Sequence, residues 1–192
     1  TAWFFMHKVR KEMQSSQKYK MSEMVHVDEF TVGGKEEGKQ GRSYDSKKKK
    51  AVIAVELNQK HQIKRVYVKS IEDYSSKSLT PIFEEHISQQ AQVITDKWRG
   101  YEPLKKLYNI EQRLSDHGKN FKELHIVIMQ LKSWIRAIPT HVSKWHIQAY
   151  FDEFCFRINR SQFKTSIFHK SVEKMVNKKP IYQKEIKQIL SV

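Results

Sequence analysis

Two aspartates stand at positions where a strand pattern surrounds a carboxylate with apolar residues. Asp28 lies in the middle of an alternating segment, between Val27 and Phe30, where an unpaired charge is costly. Asp96 directly follows a short apolar segment, at the end of a different predicted strand. Carboxylate oxygens are the ligands that Mg²⁺ prefers, and a pair of such ions activates a water or a hydroxyl for attack on a phosphodiester. The two residues therefore predict a site for Mg²⁺ (or Mn²⁺), with two ions.

Other interpretations of these residues stay open at this point. Asp28 also fits a surface residue at a strand edge, and Asp96 fits the N-cap of a following helix. Side chains alternate along a strand, so Glu29 is expected on the face opposite Asp28, in a supporting role. If the metal site exists, the carboxylates of Asp28 and Asp96 approach within roughly 5 to 6 Å, given a two-metal spacing of about 3.5 to 4 Å.

Such residues need a sheet to position them, and the hydrophobic pattern predicts one. Segments 24–32, 51–57 and 63–71 predict three consecutive strands in an antiparallel meander. Further strands are predicted at 91–95 and 110–114, and helices at 75–87, 101–108, 121–138 and 143–160. This order is that of an RNase H-like α/β fold, a mixed five-stranded sheet flanked by helices, with a helical C-terminal extension. In that fold the first and fourth strands are neighbours, which would bring Asp28 and Asp96 together.

The charge balance points to a polyanionic partner. Lys and Arg number 36 against 21 Asp and Glu, a formal net charge of +15, and cations that neutralise phosphates release counterions and strengthen binding to nucleic acid. A basic protein without such a partner is the plainer alternative. Residues 35–50 are rich in Gly, Lys and Ser and predict a mobile basic loop.

The cysteine content and the apolar runs restrict where in the cell the protein is expected to work. Cys155 is the only cysteine and lies in an aromatic segment typical of a core, so a reducing cytoplasmic location, near the bacterial nucleoid, is expected. No apolar run is long enough to span a bilayer, so no membrane partner is expected.

Three segments carry a resemblance to a known family. They are VHVDEFTVGGK, ITDKWRGYEPLKKL and LKSWIRAIPTHVSKWHIQAYFDEFCFRINR, in that order. Together they resemble the bacterial insertion-sequence DDE-type transposases of the ISXO-like family, over residues 1–159. The resemblance implies that Asp28 and Asp96 are the first two catalytic carboxylates. It also implies an N-terminal zinc-ribbon region ahead of the helix predicted for TAWFFMHKVRKEM, so the chain is expected to be a fragment that lacks this region.

The third catalytic position departs from the family pattern. The family places Glu or Asn on the helix that carries its LK motif, whose lysine matches Lys132. His125 lies seven residues before Lys132, two helical turns back on the same face, and is the expected third catalytic residue and metal ligand. Gln130 is the alternative, although it lies about 160° away from Lys132 round the helix. Neither residue is a carboxylate, so the alternative that this copy of the transposase is inactive stays open.

Basic residues near these motifs are expected to contact DNA. This set comprises the lysine run, the arginine that follows Asp96, and two cations of the helix predicted at 121–138. Its members are Lys47, Lys48, Lys49, Lys50, Arg99, Lys132 and Arg136. Trp98 and Tyr101 fit either stacking on an unpaired base or packing of the turn after Asp96. Charged residues of this kind also occur as plain solvated surface.

The expected organisation has three parts: the end of a helical DNA-binding or linker region (1–20), an RNase H-like catalytic domain (21–160) and a basic tail (161–192). The expected function is metal-dependent cleavage at transposon ends and transfer of the 3′ hydroxyls into target DNA, by a homo-oligomer in the synaptic complex. A catalytically decayed or domesticated DNA-binding remnant is the alternative. A host nuclease or resolvase on the same fold is a third possibility.

Overall fold

The computed structural model describes residues 2–33, 48–138, 142–163, 165–177, 179–182 and 185–186. They form two compact units. One is Gln17–Ala137, and the other combines Thr1–Ser16 with Ile138–Val192. These units are defined by compactness, whereas the three parts predicted from the sequence are defined by function, and that division stays a prediction.

A five-stranded sheet is the centre of the Gln17–Ala137 unit. Its strands are β1 (Met24–Val32), β2 (Lys49–Leu57), β3 (Ile63–Ile71), β4 (Gln92–Thr95) and β5 (Asn109–Gln112), in the spatial order β3-β2-β1-β4-β5. Strands β1, β2 and β3 form an antiparallel meander, while β4 pairs in parallel with both β1 and β5. The predicted α/β fold with a mixed sheet and neighbouring first and fourth strands is confirmed.

The start of β2 corrects the predicted loop. Residues up to Lys50 were expected in a mobile segment, but Lys49 and Lys50 belong to β2 and pair with Val32 and Thr31. The two lysines carry no hydrophobic signal, so the sequence pattern did not predict a strand there. They are part of β2 because their backbone pairs with that of β1. Residues 34–47, which hold most of the predicted loop and Lys47, lie outside the described residues.

Helical segments cover both faces of the sheet. Helix α2 (Ser76–His86) begins at Ser75, whose side chain accepts a hydrogen bond from the Ser78 amide, and a 3₁₀ helix spans Arg99–Lys106. Val25 and Val27 of β1 share a buried cluster with residues of these two segments. On the opposite face, the His26 ring contacts Phe121, and helix α3 (Lys122–Arg136) packs against β1 and β2.

A buried carboxylate ties three parts of this unit together. Glu56 of β2 has no exposed surface; it accepts hydrogen bonds from Arg65 of β3 at 2.7 Å and from the Ser22 and Glu23 amides at 2.8 and 3.2 Å. Burial alone would raise the pKa of Glu56, but these donors hold it below its usual value. Arg65 also donates to the carbonyl of Lys20. The cluster therefore fixes where the chain enters β1.

Removal of the cation in this cluster is expected to destabilise the protein. Arg65→Gln leaves the Glu56 carboxylate buried with its amide donors and with Lys64 at 4.0 Å, and loss of one partner of a buried pair costs about 3 kcal/mol. The free energy of unfolding in urea measures the loss. Arg113→Gln, which removes an exposed partner of Glu111, is the matched control and should leave the transition midpoint in place. Equal midpoints for the two variants would contradict this role for Glu56.

The other unit is helical. Helices α1 (Ala2–Glu12), α4 (Ile147–Ile158) and α5 (Ile167–Val176) make it up, and α1 packs against both of the others. As predicted, Cys155 and the aromatic side chains of α4 are buried, namely Tyr150, Phe151, Phe154 and Phe156. The segment expected as a basic tail contains α5, which the sequence pattern did not predict. No helix among the described residues has the length and apolar character needed to cross a bilayer.

Two buried histidines lie between α1 and α4. The rings of His7 and His146 are 4.7 Å apart, and Trp3 covers His7 at 4.2 Å. The pKa of His7 is lowered to about 4, chiefly by burial and also by His146 and Arg10, while Glu153 opposes the shift. His7 is therefore neutral at neutral pH and suits an apolar environment.

Acid is expected to weaken this unit. Because the pKa of His7 is lower in the folded chain than in the unfolded chain, its contribution is complete above about pH 6.5 and is lost as the pH falls towards 4. The whole shift corresponds to about 3 kcal/mol, of which about 2 kcal/mol is lost between pH 7.5 and pH 5. Urea unfolding followed by tryptophan fluorescence at these two pH values measures that loss, because Trp3 contacts this site.

His7→Phe is the control for this experiment, since an aromatic ring that cannot be protonated occupies the same place. It should reduce the pH dependence between these two values. An unchanged pH dependence in the variant would show that other groups are responsible.

Candidate active site

The parallel pairing of β1 with β4 brings two aspartates together. Val27 pairs with Thr95, and the next residue on each chain segment is Asp28 or Asp96. Oxygens of the two carboxylates lie within 4.8 Å of one another. The expected approach of these side chains is therefore confirmed. The Glu29 amide donates to Asp28 Oδ1 at 2.8 Å and orients that carboxylate.

Glu29 is the third member of this acidic group. One of its carboxylate oxygens also lies within 4.8 Å of the other two, and one oxygen is shielded from solvent. Alternation places Glu29 on the face of Val25 and Val27, as expected, yet its carboxylate still comes within 4.8 Å of Asp28 and Asp96. The supporting role expected for Glu29 stays a prediction. Asp96 lies beyond the last paired residue of β4, where side chains from both faces of β1 reach it.

Tyr101 forms the floor of the acidic group. It is completely buried, and its pKa is raised by burial and by the carboxylates of Glu29, Asp28 and Asp96. Because no surface of the ring is exposed, Tyr101 packs in the core and does not offer a stacking platform for a base. A neutral phenol under three carboxylates adds no further negative charge to the site.

The turn that carries Asp96 is held by short contacts. Asp96 Oδ1 accepts a hydrogen bond from the Trp98 amide at 3.0 Å, and Trp98 itself is the N-cap residue of the 3₁₀ helix. The Trp98 indole donates to the Tyr74 carbonyl at 2.8 Å. A Cβ on Gly100 would come within 2.6 Å of both groups, so this position requires glycine. The turn therefore holds Asp96 in a defined place.

Lys132 of α3 lies near the acidic group. Its half-buried ammonium is 5.7 Å from the centre of the Phe30 ring. Burial lowers the pKa of Lys132, as do Lys48 and Arg136, while the negative charge of Asp28 raises it. Lys132 therefore interacts electrostatically both with Asp28 and with two further cations.

The comparison with known families agrees with this geometry. Residues 20–159 match the ISXO2-like transposase domain. The chain belongs to this transposase family. The match includes the whole sheet, the acidic group and helices α3 and α4, and it confirms the resemblance seen in the sequence. A comparison with curated protein sequences finds no match.

The transposase domain does not bring its predicted third ligand into the acidic group. His125 of α3 is half-buried, and burial and Lys132 lower its pKa. Among the described residues, the acidic group that could hold a metal ion contains Asp28, Glu29 and Asp96 and does not include His125. Gln130, the alternative, is exposed on α3. The sequence predicted helix α3 and the proximity of His125 to Lys132 on it. It did not predict the distance between His125 and the carboxylates.

The predicted DNA-contacting residues divide into groups. Lys48, Lys132 and Arg136 lie close enough to interact electrostatically. Lys50 instead donates to the Glu72 carbonyl at 3.3 Å and lies 5.6 Å from the Tyr74 ring, while Lys49 pairs with Val32 at the start of β2. Arg99 is exposed in the 3₁₀ helix that follows Asp96. Lys47 lies outside the described residues.

The acidic group has the chemistry of a divalent-cation site. Three carboxylates offer oxygen ligands, which suit Mg²⁺ and Mn²⁺. Close negative charges over the buried Tyr101 repel one another, and a bound cation would relieve that repulsion. The residues present therefore fit the divalent metal that a transposase of this family is expected to use.

Glu29 is expected to contribute to metal affinity. Glu29→Gln keeps the size of the side chain but removes one of three negative charges, so Mn²⁺ binding should weaken about 10- to 100-fold. Electron paramagnetic resonance of free Mn²⁺ measures the affinity. Asp28→Asn should weaken binding at least as much. Glu102→Gln, an exposed change on the neighbouring 3₁₀ helix, is the control, and a Glu29→Gln variant that binds as this control does would exclude Glu29 from the site.

Proposed function

We propose that this transposase domain cuts DNA at transposon ends in a metal-dependent reaction and joins the freed 3′ hydroxyls to target DNA. The observation that supports the proposal is the acidic group of Asp28, Glu29 and Asp96, whose oxygens lie within 4.8 Å of one another. Asp96 follows the carboxyl end of β4, where ligands bind in open α/β sheets, and Asp28 and Glu29 lie beside it in the middle of β1, just after its paired residues. The chain belongs to a transposase family.

The carboxylates are the proposed metal ligands. Asp28 and Asp96 would hold the cations, and Glu29 would add a third oxygen from the Tyr101 side. Divalent ions bound there would lower the pKa of the attacking water or hydroxyl and neutralise charge on the leaving oxygen. The hydrogen bond from Trp98 to Asp96 and the amide of Glu29 on Asp28 keep both carboxylates oriented before DNA binds.

The cations beside the acidic group are the proposed phosphate contacts. Lys132 is half-buried and close to Asp28, so its ammonium can hold a non-bridging oxygen of the scissile phosphate. Lys48 and Arg136 extend this positive region towards flanking phosphates, and Arg99 does so after Asp96. His125 borders the site beside Lys132 and is neutral at neutral pH, which suits a proton acceptor better than a ligand of Mg²⁺.

Synapsis of two transposon ends requires more than one active site, so the proposed working state is a homo-oligomer on DNA. Lys and Arg number 36 against 21 Asp and Glu. This positive excess favours binding to the DNA backbone irrespective of the base sequence. The helical region of residues 1–20 is the proposed contributor to recognition of the ends.

A cleavage and joining assay tests the proposed reaction. The substrate is duplex DNA that carries the sequences flanking the gene, with Mg²⁺ or Mn²⁺ and a supercoiled plasmid as target, and denaturing gels measure nicked and joined strands. Asp28→Asn and Asp96→Asn each remove a metal ligand worth several kcal/mol, so product formation should fall roughly 10³-fold. Lys132→Gln should reduce it by about 10²-fold through lost charge stabilisation.

Asp116→Asn is the matched control, because Asp116 is exposed and distant in sequence from the site residues. Its activity should equal that of the unmodified chain. Identical products from the unmodified chain and from Asp28→Asn would overturn the catalytic assignment and favour a decayed DNA-binding remnant. Cleavage of branched or hybrid duplexes without end specificity would favour a nuclease.

A further inference from the structure

A basic cavity lies in the helical unit formed by the two ends of the chain. Its volume is about 390 Å³, and its lining comprises Arg160, Lys170, Glu173, Lys174 and Asn177. Four of these residues follow the spacing of one face of α5, and Arg160 comes from the segment after α4. Three cations and one carboxylate give the cavity a charge of +2, counted as three minus one.

Aromatic rings hold the cations of this cavity in place. The Arg160 guanidinium lies 4.0 Å from the centre of the Phe156 ring, and Lys174 lies 5.6 Å from the same ring. Lys170 lies 4.5 Å from the Phe163 ring. Contact with a ring face orients a cation but leaves its charge able to attract an anion.

Backbone contacts further fix Lys174. Its ammonium donates to the carbonyls of Glu12 and Gln14 at 3.2 Å each, at the end of α1. Carbonyl acceptors carry no net charge, so the positive charge of Lys174 stays in the cavity wall. The cavity therefore combines an oriented guanidinium and a fixed ammonium on one side with an exposed ammonium, Lys170, on the other.

These groups suit a phosphate oxyanion. A guanidinium presents paired N–H donors to two phosphate oxygens, ammonium groups add point charges, and the amide of Asn177 can donate a hydrogen bond. Glu173 lines the same cavity and opposes a highly charged anion. A phosphodiester carries one negative charge for each phosphate, which matches a cavity with a modest positive charge better than a free polyphosphate does.

We propose that this cavity binds a backbone phosphate of duplex DNA, as a DNA contact additional to the residues around the acidic group. The inference rests on the proposed function only in taking DNA as the polyanion. None of the cavity residues belongs to the proposed catalytic machinery. The contact reads no base sequence and contributes to affinity alone.

Fluorescence anisotropy with a labelled duplex of arbitrary sequence tests the site, in EDTA so that no cleavage occurs. Lys170→Gln removes one exposed charge, and affinity in 0.1 M salt should fall roughly 5- to 10-fold, with a salt slope smaller by about 1. Glu173→Gln changes the charge in the opposite sense and should strengthen binding. Both residues are exposed, and circular dichroism verifies that the variants fold.

Lys60→Gln is the matched control, because it removes the same charge from the exposed turn between β2 and β3. It should change DNA affinity less than twofold. Equal losses for Lys170→Gln and Lys60→Gln, or no gain for Glu173→Gln, would overturn the proposal. A site for free phosphate instead of DNA would appear as inorganic pyrophosphate binding that depends on Lys170 while DNA affinity does not.

The same measurement on Asp28→Asn separates this inference from the catalytic proposal. In EDTA, Asp28→Asn should strengthen DNA binding, because it removes one carboxylate that repels DNA, and Lys170→Gln should reduce binding by the same factor in the Asp28→Asn and unmodified chains. Failure of the cleavage assay would then leave the cavity assignment intact, and failure of the binding assay would leave the catalytic assignment intact.

Discussion

The parallel register between β1 and β4 is the constraint on which the candidate site depends. With Val27 opposite Thr95, the residues that follow each member of the pair are the two aspartates. Val25 and Val27 have no exposed surface, so a slip of β1 by one residue would move both side chains out of the core. The free energy that holds the register is therefore hydrophobic, although its result is an alignment of charges.

The site balances opposite charges over a very short distance. Three carboxylates lie above the buried phenol of Tyr101, and Lys132 stands beside them under the influence of Lys48 and Arg136. An anionic substrate meets the cations around the site, while the carboxylates themselves repel it. A cation bound among the carboxylates would remove that repulsion, so metal and DNA binding should favour each other.

Much of the fold was predictable because its strands carry clear period-two patterns. The bounds of β1 and β3 were correct to the residue, and the segment predicted as a helix at 75–87 contains α2. The first residues of β2 were not predicted, because Lys49 and Lys50 carry no hydrophobic signal. They join the strand through backbone pairing with β1 and, for Lys50, also with β3. Helix α5 was missed although Phe168, Val172 and Met175 recur at helical spacing.

The composition of the acidic group was predictable only in part. Alternation correctly assigned Asp28 and Glu29 to opposite faces, but the assignment of a face does not exclude a residue from a site at the end of a neighbouring strand. Whether the His125 ring reaches the carboxylates depends on how α3 packs on the sheet, and local sequence carries no information about that distance.

Because Asp28 and Glu29 lie on opposite faces of β1, the geometry of the site depends on their order in the chain. An exchange of the two residues would preserve composition, net charge and the number of carboxylates. It would nevertheless put the longer side chain beside Lys132 and the shorter one above Tyr101, and it would remove the Asp side chain that accepts the Glu29 amide. Two copies of such an element could therefore have the same acidic residues in the same segment and differ in whether those residues form a site.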